Sequence, residues 1–246
     1  MNLSDMSPDR LLRAGFGVGA LAAVLAALAG FGALAEGPDR TAPFVRTARL
    51  DVETVVVLIA LAALAVILVA AFVPRTWLQP VGVLATTAVA TSSGIEVVRG
   101  RIADAFAPDV RTTLQAGGML LVLAFWVAIA AIALQLFALR RFAQTRPVEP
   151  REVLDQVPMR LDGRPLRTSL KGTLGVALGI AGVIAPVFSA LAVALGLGAL
   201  GDIRAYDGRM GGRGAAMTAV VLGIIGLSLL IAVLGFGGLF LTPTGD

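Results

Sequence analysis

Six stretches of this chain are long, apolar and almost free of charge, and that pattern limits its fold more than any other feature. A helix needs about 20 apolar residues to cross roughly 30 Å of hydrocarbon. The runs between Arg13 and Glu36, Thr54 and Val73, Trp77 and Ile95, and Gly117 and Leu139 meet or approach that length. Two longer tracts follow, Gly172 to Gly201 and Gly214 to Leu241. Of the 246 residues, 57% are hydrophobic and 15% charged, whereas a soluble domain is about half apolar and a quarter charged. The expected fold is therefore all-α, a polytopic transmembrane helical bundle.

The first run competes with a cleaved signal peptide. It is longer than an ordinary apolar signal core, and its leader carries acids beside Arg10 and Arg13, so retention in the mature protein is expected. The second run is uniformly apolar. The third holds Pro80 and the hydroxyl set Thr86, Thr87, Thr91, Ser92 and Ser93. Such side chains bond to their own helix or to neighbours, which suits a span packed among other helices. The fourth places Trp126 mid-span and Gln135 near its end.

The fifth tract has Pro186 near its middle, where proline removes a backbone hydrogen bond and kinks a helix. Read as one kinked helix, it completes a six-span protein. The alternative is five spans plus a re-entrant hairpin turning at Pro186, each half short and its turn in need of protein cover.

Between the fourth and fifth runs lies a different kind of sequence. Residues 140–171 hold Arg140, Arg141, Arg146, Arg151, Arg160, Arg164, Arg167 and Lys171, with Pro147, Pro150, Pro158 and Pro165 breaking any long helix. The expected organisation is a four-span unit over residues 1–139, a hydrophilic linker over 140–171 and a glycine-rich two-span module over 172–246. Lys and Arg near span ends favour the cytoplasmic side, which puts the linker, the N-terminus and Arg75 inside. Segments 36–53 and 96–111, where acids match or outnumber arginines, then lie outside. Six spans bring the C-terminus to the cytoplasm but leave the loop 202–213 outside, although it carries Arg204, Arg209 and Arg213 against Asp202 and Asp207.

Residue usage removes most chemistry. Without cysteine there is no disulfide, thiolate metal site or cysteine nucleophile. Without histidine there is no Ser-His-Asp machinery, histidine metal or haem ligation, or ordinary neutral-pH proton shuttle. Asp51 with Glu53, and Asp104 with Asp109, are the carboxylate pairs an enzyme could use, but solvation at the membrane surface explains them more simply. No catalytic, metal or cofactor-binding residue is assigned. The net charge of +4 comes from dispersed arginines without an aromatic-interleaved basic face, so they fix topology and do not bind nucleic acid. Arginine in place of nearly all lysine, beside abundant Ala, Gly and Val, suggests a high-GC bacterial genome and hence the plasma membrane.

Small residues supply the remaining signals. Gly15 and Gly19, and Gly175 and Gly179, are spaced to place two glycines on one helix face, which permits close helix association. Residues 177–183, Ala-Leu-Gly-Ile-Ala-Gly-Val, recur as residues 221–227, Val-Leu-Gly-Ile-Ile-Gly-Leu. Gly212 and Gly214 allow a tight reversal into the last helix, and Arg213 between them can snorkel to lipid phosphates.

The segment Gly196-Leu-Gly-Ala-Leu-Gly-Asp-Ile-Arg204, followed by Gly212-Arg-Gly-Ala-Ala-Met-Thr-Ala-Val-Val-Leu-Gly223, resembles the core of a bacterial membrane family catalogued as domain of unknown function 4190. The resemblance covers about residues 170–240. Gly201 and Asp202 depart from it, standing where the family often has polar or basic residues, as does Ala219 where glycine is common. It implies a two-helix membrane module without an assigned activity. The resulting expectation is a non-enzymatic structural, interaction or regulatory component whose partners are the bilayer, anionic headgroups or other membrane proteins. A small transporter or permease subunit with a path along the third and fifth spans is the alternative.

Overall fold

The computed structural model describes residues 6–35, 52–73, 78–106, 116–151, 154, 165, 168–207 and 209–236. Among the described residues seven α-helices form in chain order: α1 (Pro8–Ala35), α2 (Val52–Phe72), α3 (Leu78–Phe106), α4 (Ala116–Thr145), α5 (Leu170–Ile184), α6 (Ser189–Ala205) and α7 (Arg213–Leu230). A 3-10 turn, Pro186–Phe188, joins α5 to α6, and a π-helix, Ile231–Phe236, continues α7. Among the described residues no strand occurs beyond the single bridge between Thr168 and Gly211. Among the described residues six helices are long and apolar enough to cross a membrane, and α5, with 15 residues, is shorter.

Helix ends follow local chemistry. Pro8 opens α1, where its missing N–H costs nothing and its fixed φ suits the first turn. Leu11 N donates to Ser7 O at 3.1 Å. Pro80 sits in the first turn of α3 and is tolerated for the same reason. Two helices outrun their apolar cores: α3 continues through Glu96 to Phe106, and α4 through Arg140 and Arg141 to Thr145. Arginine is a good helix former, and α4 stops only where Pro147 disfavours helical geometry in the residue before it.

Contacts divide the chain into two compact units, Met1–Gly15 with Ala133–Leu229 and Phe16–Ile132 with Leu230–Asp246. In the second unit α2 packs against α3. Phe16, Ile67, Val83 and Val89 are among its fully buried side chains. A Cβ on Gly82 would stand 2.5 Å from Phe16 Cε1 and 2.8 Å from Ala70 Cβ, so α3 meets both neighbours where it has no side chain. The opposite face of α2, with Leu58, Leu61, Val69 and Phe72, is exposed. A continuous apolar outer face of this kind suits lipid.

The tract from Gly172 to Gly201 is not one kinked helix. It reverses at Pro186, and α5 and α6 lie side by side as an antiparallel hairpin. A Cβ on Gly175 would be 3.4 Å from Ala192 O and 3.5 Å from Gly196 N, and one on Gly182 would be 3.0 Å from Ser189 Cα. Proline favours extended geometry in the residue before it, and Ala185 adopts φ −122°, ψ 93°. A residue in that conformation redirects the chain instead of bending it slightly. The fifth span-length helix is therefore Pro186–Ala205, with α5 folded back against it.

Arg75, Asp51, Asp109, the segment 36–51, linker residues 155–164 and the end of the sixth apolar tract beyond Phe236 lie outside the described residues.

Candidate functional site

The first unit gathers most of the glycines singled out in the sequence into one junction. Helices α5 and α7 run parallel, and close approaches at Gly172 and Gly175 each join a residue of α5 to one numbered 44 higher in α7, while Gly179 meets Leu222, 43 higher. A Cβ on Gly172 would be 3.3 Å from Ala216 N, and one on Gly175 would be 2.8 Å from Ala219 Cβ. This spacing equals that of the sequence repeat, which recurs from 177 to 221. The repeated glycines thus line one three-helix junction, Gly179 against Leu222 of α7 and Gly182, Gly223 and Gly226 against Ser189 of α6, which runs antiparallel to both helices.

Ser189 stands at the centre. Pro186 has no N–H to return to the carbonyl four residues earlier, that of Gly182. Ser189 Oγ donates to that oxygen at 3.0 Å and is fully buried. Gly226 of α7 lies against the same pair: a Cβ there would be 2.1 Å from Ser189 Oγ and 2.9 Å from Gly182 O. One turn earlier, a Cβ on Gly223 would be 2.6 Å from Ser189 O and 2.5 Å from Val193 Cγ2. The turn backbone is also paired, Ala185 N to Ala181 O at 2.7 Å and Phe188 N to Ala185 O at 3.1 Å.

At the other end of the hairpin the linker and the segment after α6 are bonded into one polar layer. Asp202, only 14% exposed in its side chain, takes both Arg146 and Lys171, the latter at 2.8 Å. Glu149 N donates to Ala205 O at 2.8 Å, Ser169 N to Gly211 O at 3.0 Å, and Arg209 Nη1 to Leu154 O. The start of α1 belongs to the same unit, with Arg141 Nη1 donating to Met6 O at 2.9 Å and buried Gln135 Nε2 to Gly15 O at 3.3 Å. Arg140, Arg151, Lys171, Arg204 and Arg213 are exposed.

The structure separates the candidate residues. Gly175, Gly179 and Pro186 belong to the junction, Gly179 with a Cβ position 2.8 Å from Leu222 Cβ. Gly15 and Gly19 are both buried in α1. Gly212 has φ +100°, a conformation that favours glycine, directly before Arg213 at the start of α7. A Cβ on Gly214 would meet nothing within 4 Å. Sequence reasoning passed over Ser189, Gly182, Gly223, Gly226 and Asp202 as site residues. Ser189 had a legible signal, being the only polar side chain between Leu174 and Gly201 and three residues after the proline.

In the second unit four of the five α3 hydroxyls turn back on their own helix, while Ser93 Oγ is buried without a hydrogen-bond partner among the described residues. Thr86 Oγ1 bonds Gly82 O at 3.0 Å, Thr87 Oγ1 bonds Val83 O at 2.8 Å and Thr91 Oγ1 bonds Thr87 O at 2.9 Å. Among the described residues no group of three or more acidic side chains could hold a metal ion. Comparison with protein-family models, with curated proteins and with solved structures gives no match.

Proposed function

We propose that the chain is a non-enzymatic, multi-pass component of a bacterial plasma membrane that works by packing against lipid and other membrane proteins. Its arginine-bearing polar layer faces the cytoplasm. The observation that carries this reading is the bonding of linker residues Arg146, Glu149, Leu154 and Lys171 to the segment Asp202–Gly211. That bonding groups Arg204 and Arg209 with the linker arginines, and basic residues beside span ends favour the cytoplasmic face.

A hairpin returns the chain to the side it left, whether its arms cross the bilayer or only enter it. The last helix then leaves from the cytoplasmic layer, and the residues after it lie outside, unlike the cytoplasmic C-terminus expected from six single spans. The resemblance of residues 170–240 to domain of unknown function 4190 fits a membrane module of this kind. Four of the five α3 hydroxyls, bonded to their own carbonyls, offer little to a solute path, and the permease reading keeps only the buried, unpartnered Ser93 Oγ in its favour.

A reporter enzyme active only outside the cytoplasm, fused after Asp246, tests the orientation. Activity is expected, and an inactive fusion that reaches the membrane would overturn it. Crosslinking in native membranes tests the packing role: recovery of defined membrane-protein neighbours supports it, whereas vectorial uptake of a solute by reconstituted protein would replace it with transport.

A further inference from the structure

We infer that the hairpin of α5 and α6 is re-entrant, with an apex that ends among the lipid acyl chains without emerging on the far side. The ion pair of Lys171 and Asp202 marks the polar end of both arms. From there to Ile184 the chain rises about 20 Å at about 1.5 Å per residue, against roughly 30 Å of hydrocarbon. An apex that crossed would also meet the far headgroups, yet Val183, Ile184, Ala185, Pro186, Val187 and Phe188 offer them no polar side chain. Ile184 is 85% exposed, the most exposed large apolar side chain among the described residues, and Ile180 and Val183 beside it are exposed too.

Three backbone donors of the turn and the carbonyl freed by Pro186 are bonded within the protein, as a dry setting requires. Irregular backbone at membrane depth persists only where its polar groups are satisfied by protein. Here the carbonyl that Pro186 cannot bond is taken by Ser189 Oγ, and Ala185 N, Phe188 N and Ser189 N all donate within the turn. Glycines 182, 223 and 226 bring α7 against this turn and supply cover on one side. The exposed side, led by Ile184, fits the acyl chains.

The chain has no native cysteine, so single-cysteine variants of the full-length protein report cleanly. Val148→Cys, at an exposed position in the polar layer, marks that face, and Ile184→Cys marks the apex. Membrane-impermeant maleimide is applied to intact cells and to inverted vesicles. The expected result is labelling of V148C from one side and loss of I184C labelling from both, with recovery in detergent. A bimane on I184C in reconstituted vesicles should be quenched more strongly by nitroxide near the acyl terminus than near the headgroup. Labelling of I184C from the side opposite V148C would overturn the inference in favour of two crossings. Labelling from the same side, or stronger quenching by the headgroup nitroxide, would show that the hairpin does not insert. Weak quenching at every depth would show the apex covered by protein. Because the faces are defined by V148C, these outcomes do not depend on which face is cytoplasmic.

Discussion

Gly223→Ala isolates the close approach of α7 to α6. A Cβ at that position would stand 2.5 Å from Val193 Cγ2, 2.6 Å from Ser189 O and 2.9 Å from Val193 N. Two of those atoms are backbone and cannot move aside by changing rotamer, so the helices must separate. Overpacking of this severity costs about 3 kcal/mol, the upper part of the usual range. Replacing glycine inside a helix returns about 1 kcal/mol. The net loss of about 2 kcal/mol is roughly a 30-fold shift toward the unfolded state, or a midpoint about 4–8 °C lower for a chain of this size. Gly214→Ala in the same helix meets open space and should be neutral or slightly stabilising. The two variants, purified in one detergent and compared by the temperature at which the monodisperse fraction is half lost, differ only in the packing contact. Equal midpoints would refute the α6–α7 register and the role assigned to the repeat.

Ser189→Ala removes the donor from a buried carbonyl and should destabilise by about 1–2 kcal/mol, checked in the same thermal assay. Asp202→Asn should cost about 1 kcal/mol or less, because Arg146 and Lys171 are about half exposed in their side chains. It should still loosen the linker, seen as faster tryptic cleavage after Arg151 from the face that carries the polar layer. Thr87→Val keeps the volume near Val83 and removes only a bond to the helix's own carbonyl. Stability should stay within about 1 kcal/mol of the parent. A larger loss would mean that the hydroxyl serves a partner outside α3.

The glycines show how far the sequence could be read. Pairs at Gly15 and Gly19 and at Gly175 and Gly179 announce close helix contact, because a missing side chain in an apolar run has few other uses. The 44-residue repeat was equally visible. Its meaning was not, since only parallel neighbours put Gly175 against Ala219 and Gly182 beside Gly226. Asp202 looked like one of two acids, with Asp207, in a basic loop. Its two cations come from positions 146 and 171, and no local rule links those numbers.

Hydropathy, a property of each segment by itself, determined the helical membrane class and the number of span-length helices, because the transfer of a side chain into lipid does not depend on its distant neighbours. The residue inventory likewise removed histidine and cysteine chemistry. What Pro186 does depended on the fold. A proline frees one carbonyl whether the helix bends or reverses, and the choice follows from which surfaces then meet. The glycine faces of α5, α6 and α7 close around Ser189 only in the hairpin. Tertiary packing therefore turned the fifth tract back on itself, brought the arginine loop to the linker and set the side from which the last helix departs.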